Sequence, residues 1–391
     1  MAEAKRAEPP KPKPKPKPRP ERYAWSYPEE APDGGTSLRF GPAVDDKGRA
    51  FLHVGEKLVA LTEEDGKPTV AWDYVTGSRV PGPVVLVPDG TLRFHAADGM
   101  LHALEVDSGR QVYAPVNVGE PLGYAAPVTD AEGNTYISIH DGGLLRVDPD
   151  GEFNRARPYL RTRQILNSMG VIHDGVLYLG SDDGYVFAIE LGENSGKNRF
   201  DHTSEQGHAG WFINTALAIA ADGTLIVASR DDHLYGFSPA GKTKFKTPLP
   251  GQVLGAPVLD QRGNICVGIT INERGKPPAG KLISIDGNSH KIRWQFDAAG
   301  PVESTPVVAA DGVIYFGDNT GLIHAVDGQG QLQWKSDVGQ PVRSAGTMPR
   351  EGRIAFGLED ETLIVLECDS PGLADGVWPK LGRTLAQSGL S

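Results

Sequence analysis

The chain has 391 residues, 39% of them hydrophobic, with 49 Gly and 31 Pro, which suits many short strands joined by tight turns and argues against long helices. Its two cysteines exclude a disulfide framework and a cysteine zinc site, and a net charge of −11 disfavours nucleic acid as a partner. No apolar run approaches the roughly 18–20 residues that cross a bilayer as a helix.

Residues 1–22 form a compositional class of their own. The run Glu8-Pro-Pro-Lys-Pro-Lys-Pro-Lys-Pro-Lys-Pro-Arg-Pro20 cannot bury apolar surface and is expected to be an extended, semi-rigid polyproline arm. Residues 1–22 hold five Lys and three Arg against three Glu, a net of +5, so the remaining residues carry −16. Such an arm reads as a spacer, or as a tether to an anionic surface or a proline-reading partner. The opening Met-Ala-Glu-Ala-Lys-Arg has no hydrophobic signal core, so the chain as written reads as cytoplasmic. A chain trimmed of a leader would look the same and would sit in the periplasm or cell envelope.

From residue 23 onward the chain repeats itself. The clearest copy runs from Thr305 through Asp311-Gly312, Val313 to Phe316, Asp318-Asn-Thr-Gly321 and Leu322 to Val326, and closes on Trp334. It reads as four short strands, with β-branched and aromatic residues between turn residues. The glycine of its first turn recurs at Gly48, Gly90, Gly133, Gly175, Gly223, Gly263, Gly312 and Gly352, at spacings of 42, 43, 42, 48, 40, 49 and 40 residues. A large aromatic recurs in the fourth strand at Trp72, Tyr113, Phe200, Phe245, Trp294 and Trp334. Four strands repeating every 40–50 residues is the pattern of a β-propeller.

Tyr23-Ala-Trp-Ser-Tyr27 reads as a fourth strand with no blade before it, and the last unit, Ala345 to Glu367, shows three strands with no fourth. Pairing the two closes the ring and removes its exposed edges. The expectation is therefore an eight-bladed disc, with Trp25 in the environment of Trp334. Seven blades with one irregular segment outside is the alternative. Residues 368–391 lie beyond the repeat; Trp378-Pro379 is expected to pack on the outside of a neighbouring blade and the last ten residues to fray.

Three units depart from the regular copy. After Asp148, the third carries Arg155, Arg157, Arg161 and Arg163 and no Trp. Alternate spacing on a strand would place these guanidinium groups on one face, where they could dock an acidic partner. The link between the fourth and fifth units, 193–214, is long and holds His202, His208, Trp211 and Phe212, the composition of an interaction hot spot. In the sixth unit the second-to-third turn grows to Thr270–Gly280 and includes Arg274 and Lys276. In an up-and-down blade, second-to-third turns and fourth-to-first links emerge on one face of the disc. That face is the expected working surface.

His53 and His95 occupy one column in adjacent units, five residues after their turn glycines. Two imidazoles with no third ligand make a poor zinc site, so both are expected to be structural. Cys266 and Cys368 are expected to be buried thiols. No Gly-x-Ser-x-Gly, phosphate-binding loop or His-Glu-x-x-His is present.

The repeat Pro-Val-Val-x-x-Asp-Gly-x-Ile-Tyr-Phe-Gly-x-x-x-Gly-x-Ile-x-Ala-Val-Asp, followed by Gly and Trp, resembles the pyrroloquinoline-quinone-type (PQQ-like) propeller repeat over residues 23–367. That family includes quinoprotein dehydrogenases and cofactor-free relatives such as the propeller lipoprotein of outer-membrane barrel assembly. The Trp378-Pro-Lys-Leu-Gly-Arg segment is similar to a flank found beside such propellers. The dehydrogenases stack their quinone on a vicinal disulfide and hold calcium with a Glu, an Asn and an Asp; this chain has no Cys-Cys pair, and Asp45-Asp46, Asp182-Asp183 and Asp231-Asp232 fall in strand-connecting turns. The resemblance thus implies a non-catalytic scaffold or recognition propeller, with no cofactor and a protein partner on the loop-bearing face. The alternative is a quinone- or sugar-binding propeller using the mouth of the central channel. The domain reading is an arm at 1–22, a propeller at 23–367 and an extension at 368–391.

Overall fold

In the computed structural model, residues 19–29, 40–119, 126–140, 142–154, 158–162, 164–375 and 380 are described. Seven antiparallel sheets of four strands and one of three are arranged in chain order. Blade 7 shows the pattern: Val307–Val308, Ile314–Gly317, Leu322–Val326 and Leu332–Asp337, each pairing with the next. The eighth sheet joins Arg353–Gly357 and Leu363–Glu367 to Tyr23–Tyr27, and a bridge from Thr347 to Ala355 supplies its innermost strand. The fold is an eight-bladed propeller closed by its N-terminal strand.

The closing strand reproduces the register of the covalently continuous blades. Trp25 faces Val365, as Trp72 faces Ala60, Trp294 faces Ser284 and Trp334 faces Ala325. A β-bulge sits beside the aromatic in each of these pairs, including Tyr23/Trp25. A bulge re-aims one side chain, here the ring that packs on the next blade. A Cβ on Gly109 would lie 2.6 Å from the Trp72 ring, and one on Gly330 would lie 2.7 Å from Trp294, so only glycine lets the neighbouring turn approach. Where the chain breaks, Arg22 adopts the same left-handed conformation at φ 62° and lays its guanidinium 5.0 Å from the centre of Trp334.

Trp25 is 6% exposed, and its indole N–H donates to Glu63 Oε2 at 2.9 Å, whereas Trp72 and Trp294 donate to the carbonyls of Val106 and Gly328. Glu63 also holds Arg350 and, at 3.2 Å, Arg353. One buried carboxylate therefore joins the N-terminal strand, blade 1 and blade 8.

Several details differ from expectation. Tyr113 and Phe200 lie outside their short fourth strands, Val116–Asn117 and Lys197–Asn198. The aromatic of blade 3 is Tyr159, which packs edge-on to Tyr136 and accepts from and donates to the backbone of Gly192 in blade 4. The enlarged turn of blade 6 is largely hairpin, because Ile265–Ile271 and Ala279–Ile285 pair along their whole length.

First strands of neighbouring blades, such as Ala43–Val44 and Val85–Val87, lie beside each other at the axis. Phe40, Ala126, Met169, Ala216, Ala256 and Ala345, from six blades, form one cluster there. Four of the six are alanines, which suits the small radius at that point. The described C-terminal residues do not pack outside a blade. Residues 372–374 pair with the axis-facing edge of blade 7, while Trp378-Pro379 and 381–391 lie outside the described residues.

Candidate functional site

The turn after each second strand and the link after each fourth strand meet on one face, joined by main-chain hydrogen bonds. Asp182 N–H donates to Ile165 O, Ala209 N–H to Gly184 O, Arg230 N–H to Phe212 O and Asn319 N–H to Pro301 O. The expected working face is therefore a connected surface of turns and links.

Its largest irregularity is the link from blade 4 to blade 5. Phe200 packs on Tyr178, and a single 3-10 turn, His202–Ser204, follows, capped by the Asp201 carboxylate on Thr203 N–H. His202 Nε2 lies 3.1 Å from Val186 O, and its ring stacks on Tyr185 with centres 4.4 Å apart. His208 covers the same tyrosine at 4.5 Å. Tyr185 is thus held between two half-buried imidazoles, and both histidines act as packing for the link. Both keep part of their surface exposed on the link that carries Trp211.

Trp211 is different. Its carbonyl accepts from Ser229 Oγ at 3.1 Å, and its neighbours Ala209 and Ile213 donate to Gly184 O and Ser181 O. The backbone is clamped between the turn 181–184 of blade 4 and the turn 230–232 of blade 5. Its indole nonetheless projects outward, 50% exposed, with Phe212 against it at 5.4 Å between ring centres. Among the described residues it is the one exposed aromatic of the large exposed hydrophobics, the others being Val70, Val75, Val112 and Leu332.

Each clamping turn carries a pair of carboxylates, Asp182-Asp183 and Asp231-Asp232. Burial pushes the Asp182 carboxyl above the ordinary range, against a hydrogen bond from Asn167 and the charge of Arg230. Asp231 accepts from Tyr235 Oη at 2.5 Å and lies 3.6 Å from Lys246 Nζ. The sequence placed both Asp pairs in turns correctly; that these two turns flank Trp211 is a product of blade packing and has no local signal.

The same link continues into the mouth of the channel, a cavity of about 150 Å³ lined among others by Phe40, Asn214, Arg230, Glu303 and Arg343. Arg343 is committed to Glu359, to Glu303 at 3.4 Å and to Asn319 at 3.2 Å. That volume is below the roughly 300 Å³ of ordinary small-molecule sites.

The remaining candidates are scattered. Arg161 is exposed in the two-residue strand Leu160–Arg161, while Arg155, Arg157 and Arg163 lie outside the described residues, as does the Lys/Pro arm up to residue 18. Arg274 and Lys276 are exposed at the tip of the blade 6 hairpin, where Lys276 pairs with Glu273 at 2.5 Å. Among the described residues, no group of three His, Cys, Asp or Glu is placed to hold a metal.

The family model of the outer membrane protein assembly factor BamB matches residues 18–168 and 278–370, more than half of the chain. The chain belongs to the BamB family. The crystal structure of BamB from Moraxella catarrhalis is 16% identical and superposes with a TM-score of 0.66, covering 88% of this chain and 98% of that one. A europium-containing methanol dehydrogenase is 13% identical, with a TM-score of 0.65 over 86% of this chain and 85% of that one. Sqt1 of Saccharomyces cerevisiae is 11% identical, with a TM-score of 0.68 over 90% and 99%. At these identities the likeness to solved structures is one of fold. No curated protein matches the chain.

Proposed function

We propose that this BamB-family propeller is a non-catalytic adaptor of the cell envelope that docks a protein of outer-membrane protein assembly through the face bearing Trp211. The observation that carries this reading is a half-exposed indole on a backbone fixed by two blades. Large aromatic anchors dominate interface energies, and an anchor whose backbone is already ordered costs little entropy on binding. Asp182, Asp183, Asp231 and Asp232 on the two turns that hold its backbone favour a partner that brings cations to this face, where a guanidinium or ammonium over the indole gains a cation–π contact. The small mouth of the channel and the prior engagement of Arg343 weigh against the quinone or sugar alternative.

The test is affinity for the organism's own outer-membrane assembly proteins, measured with purified components. Trp211→Ala is expected to weaken binding at least tenfold while leaving the melting temperature within about 1 °C, since the side chain packs mainly on solvent. Leu332→Ala, on the fourth strand of blade 7 at the opposite face, should change neither. Equal affinities for all three chains would refute the assignment.

A further inference from the structure

Each first strand gives one edge to its own blade and turns the other toward the channel. In blade 7 that inner edge is filled. After the third strand of blade 8 the chain passes beneath the disc, where Cys368 N–H donates to Gly352 O and Gly352 N–H to Ser370 O, both at 3.1 Å. Ser370 Oγ bonds Tyr315 Oη and Asp311 Oδ2 of blade 7, each at 2.7 Å. The chain then rises antiparallel to Val307–Val308. Ala310 N–H donates to Gly372 O at 2.9 Å, Leu373 faces Ala309, and Ala374 N–H donates to Val308 O at 3.0 Å. Ala374 is buried with Val258 and Val302, and Lys380, with no exposed surface, donates to Thr347 Oγ1 of blade 8 at 3.2 Å.

We propose that residues 368–374 are an internal latch: an added inner strand that fills the free edge of blade 7 and ties it to blades 6 and 8, on the face opposite Trp211. An unpaired strand edge readily accepts an extended segment, and the main-chain bonds supply the affinity whatever the side chains. The latch places a second fastening at the seam where the ring closes. Tyr23–Tyr27 secures the outside of blade 8, and the latch secures the inside of its neighbour. Burial pulls the Lys380 ammonium down to about 7, so the lysine opposes the arrangement that the strand pairing holds.

Amide hydrogen exchange at Ala310 reads the latch directly. In the full chain that amide should be protected, and in a chain ending at Cys368 it should exchange at least about a hundredfold faster, while Phe316, in the second strand, stays protected in both. Ala374→Pro in the full chain removes the N–H given to Val308, restricts Leu373 and should also release Ala310. Lys380→Met should keep it protected. Equal exchange of Ala310 in the full, shortened and Ala374→Pro chains would overturn the latch. Release of Ala310 by Lys380→Met would overturn its main-chain basis.

Discussion

Replacing Trp25 by Ala is expected to lower the melting temperature by about 5 °C, far more than the same change at Trp211. Removing a buried Trp costs about 3–5 kcal/mol through lost contacts and the cavity left behind. Spread over the unfolding entropy of a propeller of this length, at about 2.1 cal/mol/K per residue, that loss gives the stated shift. The change also strips Glu63 Oε2 of the indole N–H while leaving Arg350 and Arg353 beside it. Deleting residues 1–27 goes further, because it bares the outer edge of Leu363–Glu367 along its whole length. An open edge of that kind pairs with other chains, so the shortened protein should elute as dimers or larger species. Thermal unfolding with size-exclusion chromatography checks both results. A deleted chain that stayed monomeric with an unchanged melt would mean that the ring is not closed by this strand.

Mild acid should destabilise the protein more steeply than its carboxylates explain. His53, His95 and His102 are buried at the junction of blades 1 and 2. Burial, followed by the neighbouring charges of His95 and His102, lowers His53 to about 3, and burial alone lowers His95 to about 4. His102 is lowered by burial against the opposing charge of Asp98. The folded state thus binds fewer protons than the unfolded state between about pH 4 and 6.5, so stability is full above that window and falls as pH drops through it. Each such histidine costs about 1.4 kcal/mol per pH unit, so His53 and His95 together remove about 4 kcal/mol between pH 6.5 and 5. Urea midpoints at pH 7.5, 6 and 5 should show the fall, and His53→Leu with His95→Leu should flatten it. A wild-type midpoint independent of pH over that range would contradict the burial of these rings.

The contrast with blade 7 shows why these histidines were read only in part from sequence. His324 stacks on Phe316 as His102 stacks on Phe94, with ring centres 4.8 and 4.9 Å apart. In blade 7 the ring is answered by Asp318 Oδ2 at 2.8 Å; in blade 2 the matching position is Ala96, and Tyr74 Oη meets His102 Nδ1 instead. The column of His53 and His95 was visible in the repeat, but that His102 lies near them depends on packing between sheets. Repeat periodicity made the blades and the closing strand legible, because each blade buries the same faces against its neighbours. Tyr159 was hidden by the arginine-rich stretch that follows Asp148. The latch was hidden because its pairing is main-chain to main-chain and leaves no composition to read. Trp211 stood out in the sequence as an aromatic among loop residues, whereas the clamp that fixes its backbone could be recognised only once blades 4 and 5 were side by side.

The docking claim is tested most directly by placing a photo-crosslinking amino acid at position 211 and, separately, at position 332, in the living cell that makes the protein. The account predicts that position 211 yields one discrete adduct containing an outer-membrane assembly protein and that position 332 yields none. The same adduct from both positions, or from neither, would contradict it.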